Sequence, residues 1–333
     1  MEEIITLDHG SGGNKTARLI QDILLPRLKN DALAPLSDGA VIPGAEKLVF
    51  STDSFVVTPC FFPGGDIGKL SVCGTVNDVA MAGGEPKYLS LSLIIEEGFP
   101  LAHLERIICS IADTANEAGV TVVTGDTKVV EKGSGDGIYI NTSGIGFLKT
   151  PGLSAGNIQK GDRIIVSGTV GDHGAAVMLA RHGNLLGSDI TSDCALLHKP
   201  ALALGKLGSG LRIMRDPTRG GIATVLNEFA EDASLSIELD ESAIPLDPGV
   251  ESACELLGLD PIYCACEGKI IAVVSEECTQ EALEILKSFP QCENAAVIGE
   301  VTDNYPGRVI VHTAFGGSRI AGKLSGAQLP RIC

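Results

Sequence analysis

Residues 67–95 read IGKLSVCGTVNDVAMAGGEPKYLSLSLII and contain the clearest structural pattern of the chain. Apolar residues recur at helical spacing over 67–82, and this segment ends at Gly83-Gly84. Residues 87–95 alternate polar and apolar side chains, which is typical of a half-buried strand. A helix followed at once by such a strand predicts a helical layer packed on a sheet.

The neighbouring segments extend this pattern through the first half of the chain. Residues 47–57 (KLVFSTDSFVV) are strand-like, and residues 101–118 have the spacing of an amphipathic helix that Gly119 closes. Two further strands are predicted over 120–123 and 137–148.

A Pro-, Gly- and Ser-containing segment, 149–161, interrupts the pattern and predicts a boundary between a domain over 1–150 and one over 151–316. The second half contains four predicted strands (162–170, 237–239, 269–274 and 309–312) and four predicted helices (172–181, 201–211, 221–233 and 281–289). Because these segments alternate without regular βαβ spacing, we expect an α+β fold of two layered domains. Residues 317–333 have the composition of a mobile tail.

The composition is that of a globular protein and excludes several partner classes. The 333 residues are 44% hydrophobic, and 25 Lys and Arg against 42 Asp and Glu give a net charge of −17. That charge repels nucleic acid and anionic membranes. The N-terminus lacks signal-peptide features and no apolar run reaches ~18 residues, so we expect a cytoplasmic protein. The ten cysteines mostly lie in apolar patterns typical of buried thiols.

Familiar nucleotide-binding motifs are absent from the sequence, whereas aspartates recur at segment ends. Neither GxxxxGK[ST] nor a helix-opening GxGxxG occurs. The aspartates in question are Asp38, Asp53, Asp78, Asp126 and Asp216. Each by itself is explained by a turn or a helix cap, but together they predict a site for Mg²⁺ and phosphate.

Two glycine clusters add to this expectation because glycine lets the backbone approach a phosphate closely. One, with Gly12 and Gly13, precedes a helix near the N-terminus, and the other is Pro217–Gly221. Backbone N–H groups at a helix N-terminus favour anions.

The order of these motifs resembles that of the HypE family, hydrogenase maturation factors of the PurM-like (aminoimidazole-ribonucleotide synthetase) superfamily. The resemblance spans nearly the whole chain. The matching motifs are HGSGG (9–13), SDGA (37–40), STDSF (51–55), NDVAMAGGEP (77–86), TGDTKVV (124–130), DPTRGG (216–221) and the terminal PRIC (330–333).

The resemblance implies a PurM-like fold, ATP with Mg²⁺, and a homodimer whose N-terminal sheets pair around a central barrel. It implies that the terminal cysteine, Cys333, receives a carbamoyl group from a HypF-like carbamoyltransferase. ATP-dependent dehydration then yields a thiocyanate, whose cyano group passes to iron on a HypC–HypD complex for the [NiFe] centre. By motif, Asp38, Asp53, Asp78 and Asp216 would hold metal and phosphate, with Asp126 next to them.

Dehydration of a primary amide needs its oxygen converted into a leaving group and a base near its nitrogen. Lys128 and Glu267 match the family's pattern for this role, and the sequence leaves open which of them accepts the proton, or whether they form a plain ion pair. A tail of ~12–15 residues reaches up to ~40–50 Å, enough to carry the Cys333 thiol into a cleft and out again.

Two other functions remain open on the sequence. A superfamily kinase or synthetase acting on a free small molecule would share the aspartates without needing a terminal cysteine. A carrier or scaffold would bind ATP only to move the tail.

Overall fold

The computed structural model describes residues 4–36, 39–183, 189–324, 326, 329 and 331–333. All strands of a four-stranded sheet lie in the first half of the chain, and all strands of a seven-stranded sheet lie in the second half. The division into domains at residue 150 stays a prediction.

The first half contains helices packed on the four-stranded sheet, whose strand order is β1-β6-β4-β5. Its helices are α1 (Asn14–Leu19), which continues through a π-helical turn (Ile20–Leu24) into α2 (Leu25–Leu28), α3 (Ile67–Met81) and α4 (Leu101–Ala118). Its strands are β1 (Leu48–Phe55), the short pair β2 (Phe61–Phe62) and β3 (Gly65–Asp66), β4 (Gly84–Glu96), β5 (Thr121–Val130) and β6 (Ile138–Leu148).

Helix α3 lies close against β6 because β6 carries glycine where it faces the helix. A Cβ atom on Gly144 would lie 2.7 Å from Thr75 Cγ2, and one on Gly146 would lie 2.4 Å from Val79 Cγ1. The hydroxyl groups of Thr75 and Thr142 are 2.6 Å apart in this buried contact. The close packing fixes α3, which supplies part of the candidate site, relative to the sheet.

The second half is built on the mixed sheet β13-β12-β9-β11-β7-β10-β8. Its strands are β7 (Arg163–Val166), β8 (Leu211–Arg215), β9 (Ser236–Asp240), β10 (Ile271–Val274), β11 (Ala296–Thr302), β12 (Val309–His312) and β13 (Ser318–Ile320). Its helices are α5 (Asp172–Arg181), α6 (His198–Leu204), α7 (Gly221–Ala233), α8 (Pro248–Leu257) and α9 (Thr279–Lys287).

The two halves contact each other along α3. The side chain of Asn77 donates to the backbone carbonyl of Ala195 at 3.0 Å and accepts from the backbone N–H of Leu197 at 2.8 Å. This buried amide ties the segment before α6 to the first half. In the described part of the chain, no helix has the length and apolar character needed to cross a membrane.

Several predicted elements agree with the structure, among them α4, α5, α7 and β12, whose bounds are those predicted. The helix predicted over 201–211 is wrong in its second half. Helix α6 ends at Leu204, six residues form 3₁₀ turns, and Leu211 begins a strand because it pairs with β10. Strands β8, β11 and β13 and helix α8 are not predicted by the sequence pattern.

The predicted tail also starts later than expected. Residues Ser318–Ile320 form β13, where Ile320 pairs with Ile310 of β12, and Ala321 is buried. Backbone pairing at the sheet edge therefore holds the first part of the segment that its composition assigned to a mobile tail.

Candidate active site

Three of the five aspartates meet where the two sheets approach each other. Alternation along β1 turns Ser51 and Asp53 towards α3. There the Ser51 hydroxyl donates to Asp78 Oδ2 at 2.8 Å. Asp216 follows β8 directly and is 9% exposed. Strand β1, helix α3 and the loop after β8 thus each contribute one carboxylate.

These carboxylates hold their protons more tightly than exposed aspartates. Burial raises the pKa of Asp53 and, together with the charge of Asp53, that of Asp78. Burial, followed by the charge of Asp78, raises the pKa of Asp216 to about 7. Mutual repulsion of this kind favours a bound cation or a proton at the site.

A cavity of about 650 Å³ lies beside the carboxylates, and its lining includes Ser51, Asp78, Thr150, Arg215 and Asp216. Both halves of the chain contribute to its wall. The volume is within the range of small-molecule and cofactor sites.

Arg219 lies between the carboxylates and the start of α7. Its Nη2 atom is 3.8 Å from Asp53 Oδ1. The following glycines, Gly220 and Gly221, have positive φ, and a Cβ atom on Gly221 would lie 2.5 Å from the carbonyl oxygen of Ile262. This turn needs glycine, and it brings a cation to a cluster of negative charge.

Glu267 is a buried carboxylate near this cluster. It is 2% exposed, and its Oε1 atom has no hydrogen-bond partner. Asp193 fixes the backbone by accepting from the N–H of Glu267 at 3.0 Å and from that of Gly268 at 3.3 Å. Burial, followed by the nearby groups Cys194 and Asp216, raises the pKa of Glu267 well above its ordinary value.

The C-terminus enters this site. The backbone N–H of Val56 donates to the carbonyl oxygen of Cys333 at 3.0 Å, and Ile332 is 3% exposed within the core of the first half. Burial, together with the charges of Glu267 and Asp53, raises the pKa of the Cys333 thiol to about 12, against the opposing effect of Arg219. The terminal thiol therefore lies, uncharged, among the groups that the motifs single out.

The chain is similar to known proteins over nearly its whole length. Residues 36–148 match the family described as AIR synthase related protein, N-terminal domain, and residues 159–312 match its C-terminal domain. A protein of Cupriavidus necator named carbamoyl dehydratase HypE is 47% identical over 332 residues, covering 99% of this chain and 95% of the relative. The chain belongs to the HypE family.

Solved structures of HypE proteins have the same fold. One, HypE in complex with ATP, has a TM-score of 0.95 at 44% identity and covers 98% of this chain and 99% of its own. Another, from a HypE–HypF complex, has a TM-score of 0.81 at 45% identity and covers 92% of this chain and 99% of its own. These similarities confirm the two-domain fold expected for the HypE family.

Asp126 and Lys128, assigned from the HypE motif TGDTK, do not join the carboxylate cluster within one chain. Asp53 is in register with Thr142 on β6, then with Leu91 on β4 and Gly125 on β5. Asp126 is therefore three strands away, about 14 Å across the sheet.

Residue alternation also turns Asp126 and Lys128 to the sheet face opposite to Asp53, where they form an exposed ion pair of 2.7 Å. The expectation that Asp126 lies next to the other aspartates is wrong for a single chain. Sequence spacing does not reveal that β6 and β4 separate β5 from β1.

The N-terminal glycines lie on that distant edge as well. Gly10 packs directly on Val129 of β5, and the exposed Gly12 donates to Thr16 Oγ1 at 2.9 Å. Neither Gly12 nor Gly13 approaches the carboxylate cluster, because β5 is the strand that their turn contacts. Asp38 lies outside the described residues.

Three residues that shape the site, Arg219, Asp193 and His173, have no role predicted from the sequence. Arg219 stands within the DPTRGG motif and Asp193 precedes no recognisable motif. His173 is the second residue of α5 and belongs to no motif of the sequence. Their partners are 74 to 166 positions away, at Asp53, Glu267 and Ile332, so no local pattern indicates them.

Proposed function

We propose that this chain is an ATP-dependent carbamoyl dehydratase that converts a carbamoyl group on Cys333 into a thiocyanate and so supplies the cyanide ligand of the iron in [NiFe] hydrogenase. One observation supports this most: the Cys333 thiol is held near the buried carboxyl of Glu267, whose Oε1 has no partner. A relative that is a carbamoyl dehydratase HypE, and a HypE structure that contains ATP, agree with it.

The reaction begins from a thiol-bound carbamoyl group, S–C(=O)–NH₂. The carbonyl oxygen attacks the γ-phosphorus of ATP, ADP leaves, and nitrogen loses one proton. The C–O bond then breaks with release of phosphate while nitrogen loses its second proton, which leaves S–C≡N. Phosphorylation makes the oxygen a good leaving group, and a base must stand near the nitrogen.

Glu267 is the base that the geometry supports. Its carboxylate is near enough to Cys333 for its charge to raise the pKa of that thiol. Burial raises the pKa of Glu267, so its ionised form is a stronger base than an exposed glutamate. Its unpartnered Oε1 can accept an N–H proton of the carbamoyl group. The hydrogen bonds from Glu267 and Gly268 to Asp193 hold the backbone in place for this role.

We place ATP in the cavity of about 650 Å³ beside Asp78 and Asp216. Asp53, Asp78, Asp216 and, from its motif, Asp38 would hold Mg²⁺, which when bound neutralises charge on the transferring phosphoryl group. Oxygen donors suit this ion. Among the described residues no three acidic, His or Cys side chains already converge at ligating distance, so phosphate oxygens and water would complete the shell.

We further propose a homodimer formed through the outer face of the four-stranded sheet. That face exposes Leu48, Phe50 and Ile94 by 51%, 66% and 44%. Burial of such side chains against a second copy is favourable. Asp126 and Lys128 lie on the same face, so pairing of two sheets would bring them towards the partner, where Lys128 would position the carbamoyl group.

The remaining partners are those that the resemblance to the HypE family implies, and one HypE relative has been solved in a HypE–HypF complex. A HypF-like carbamoyltransferase would load Cys333, and a HypC–HypD complex would accept the cyano group. A cytoplasmic location agrees with the ten cysteines, all of which are free thiols in the structure.

The test is to carbamoylate the purified full-length protein with cyanate, add Mg-ATP and analyse its peptides by mass spectrometry. We expect the Cys333 peptide to lose one water only with ATP. Cys60, Cys109 and Cys278 are also partly exposed and serve as internal controls that keep their carbamoyl groups.

Two variants separate the alternatives. Cys333→Ala abolishes the product of a dehydratase, whereas a superfamily kinase would keep its turnover. Glu267→Gln keeps ATP binding and stops water loss if Glu267 is the base. An intact carbamoyl group on Cys333 in the presence of bound ATP would favour the carrier or scaffold instead.

A further inference from the structure

We propose that helix α5 is the receptor for the C-terminal tail, in which His173 and Arg181 hold backbone carbonyls of Ile332 and Arg331 and so set how deeply the Cys333 thiol enters the site. Both are positioning residues, since they contact the carrier segment and not the reacting atoms. The effect of His173 and Arg181 on the reaction rests on the proposed function, whereas the binding of the tail to α5 does not.

The last three residues run antiparallel to residues 56–58, which continue from β1. Val56 N–H donates to the Cys333 carbonyl oxygen at 3.0 Å, and Thr58 N–H donates to that of Arg331 at 3.4 Å. The carbonyl of Ile332, between them, points to the other side, as in a strand. The tail thus pairs with this segment through two backbone hydrogen bonds, and the carbonyl of Ile332 needs a different partner.

His173 is that second partner. Its Nε2 atom is 2.8 Å from the carbonyl oxygen of Ile332, and its Nδ1 atom is 2.8 Å from Ser192 Oγ. A carbonyl only accepts, so Nε2 carries the proton and Nδ1 accepts from the Ser192 hydroxyl. Ser192 Oγ in turn accepts from the N–H of Cys194 at 3.0 Å.

This relay fixes one neutral form of the ring. His173 is 0% exposed, and burial lowers its pKa, which keeps the imidazole uncharged at neutral pH. Phe62 contacts the ring edge to face, with centroids 5.4 Å apart. The ring is therefore held in orientation by packing and by Ser192 before the tail arrives.

Arg181, eight residues further along the helix, holds the neighbouring carbonyl. Its Nε donates to the carbonyl oxygen of Thr58 at 2.5 Å and its Nη2 donates to that of Arg331. One guanidinium thereby joins the tail to the segment beside it. His173, Val177 and Arg181 have i, i+4, i+8 spacing, so they share one face of α5.

A glycine on α5 gives the tail room to approach. A Cβ atom on Gly174 would lie 3.1 Å from Leu329 Cδ1 and 3.1 Å from the backbone nitrogen of Ala265. A larger residue there would push against both the tail and the segment that leads to Glu267.

The receptor recognises the backbone of the tail and leaves the thiol free. Carbamoylation or cyanation of Cys333 changes neither carbonyl that His173 and Arg181 bind. The same contacts therefore hold the free, carbamoylated and cyanated tail at one depth, and they do not favour one of these forms over another.

The experiment uses the full-length protein and four variants: His173→Ala, His173→Gln, Arg181→Met and, as a control, His182→Ala. His182 is adjacent to Arg181 but exposed. The first measurement is the rate at which N-ethylmaleimide alkylates Cys333 without nucleotide, followed on the C-terminal peptide. Loss of one buried hydrogen bond predicts about a tenfold faster rate in His173→Ala and Arg181→Met, and no change in His182→Ala.

The second measurement is single-turnover thiocyanate formation from the cyanate-treated protein at saturating Mg-ATP. We expect a fall of about tenfold in His173→Ala and Arg181→Met with unchanged ATP affinity, because neither residue lines the ATP cavity. His173→Gln retains an N–H donor and should restore part of both effects, which a mere loss of stability would not do.

If the alkylation rate of Cys333 is unchanged in both His173→Ala and Arg181→Met, the proposal that α5 binds the tail is wrong. Should His173→Ala fail to fold, the half-buried Arg181 still provides the test. If the wild-type protein forms no thiocyanate while both variants expose Cys333, the docking stands and the proposed function fails.

Discussion

Replacement of Asp216 by Asn tests whether the pKa of Asp216 is raised in the folded protein, because a raised pKa makes the unfolding free energy depend on pH. Asp216 is 9% exposed, and burial, followed by the charge of Asp78, raises its pKa from 3.8 to about 7. Between these two values the folded protein binds more protons than the unfolded chain, so the stability of the metal-free protein falls as the pH rises. Asn cannot ionise, and the variant escapes this fall.

The expected change in unfolding free energy follows from the pKa values of Asp216 in the unfolded and folded states. At ~1.4 kcal/mol for each pH unit, ionisation of Asp216 costs roughly 2 kcal/mol at about pH 5.5 and roughly 4 kcal/mol at about pH 8. The gain in unfolding free energy of Asp216→Asn should therefore double between these conditions. Water and ions in the cleft reduce both values, but the direction stays the same.

The assay is urea unfolding with EDTA at both pH values, together with Mg-ATP binding of the same variant. We expect higher stability and loss of Mg-ATP affinity. Asp162→Asn is the matched control, because Asp162 is 3% exposed but pairs with Arg212 at 3.0 Å, so its replacement should destabilise. Lower stability of Asp216→Asn at about pH 8, or a gain independent of pH, would refute the reasoning.

Three further predictions concern other parts of the site. Glu267→Gln should leave ATP affinity within about twofold and reduce thiocyanate formation at least about a hundredfold, measured by single turnover; a normal yield removes Glu267 from the mechanism. Gly268→Ala should destabilise by more than about 2 kcal/mol, because its Cβ would lie 1.8 Å from the carbonyl oxygen of Asp193; an unchanged unfolding midpoint contradicts this. Phe50→Arg with Ile94→Lys should give a monomer in sedimentation experiments, and a retained dimer would show that another face pairs.

Local patterns of the sequence account for the main elements of the first half. Apolar spacing and the closing Gly119 locate α4, whose last residue is Ala118. In the second half, the helix predicted through residue 211 is wrong. Leu211 is instead the first residue of β8, and it is in a strand because β8 pairs with β10. The strand predicted over 269–274 is confirmed by β10, whose four residues are all buried.

The motifs indicated residue types that lie near one another in the structure, since the charges of Asp53, Asp78 and Asp216 act on each other and those of Asp53 and Glu267 act on Cys333. Their roles stay predictions. The motifs did not indicate that Asp126 and Lys128 lie on the opposite edge and face of the sheet. Strand order is a long-range property, and the sequence spacing of two motifs does not encode it.

The sequence by itself determined the chemistry available to this protein: carboxylates at strand ends, glycines in turns and a thiol on the last residue. The tertiary structure alone decided the surroundings of these groups. Burial raises the pKa of Glu267, and His173 and Arg181 donate hydrogen bonds to the C-terminal segment from positions more than 140 residues away. Burial and long-range backbone contacts arise from packing of the whole chain, and no local segment contains them.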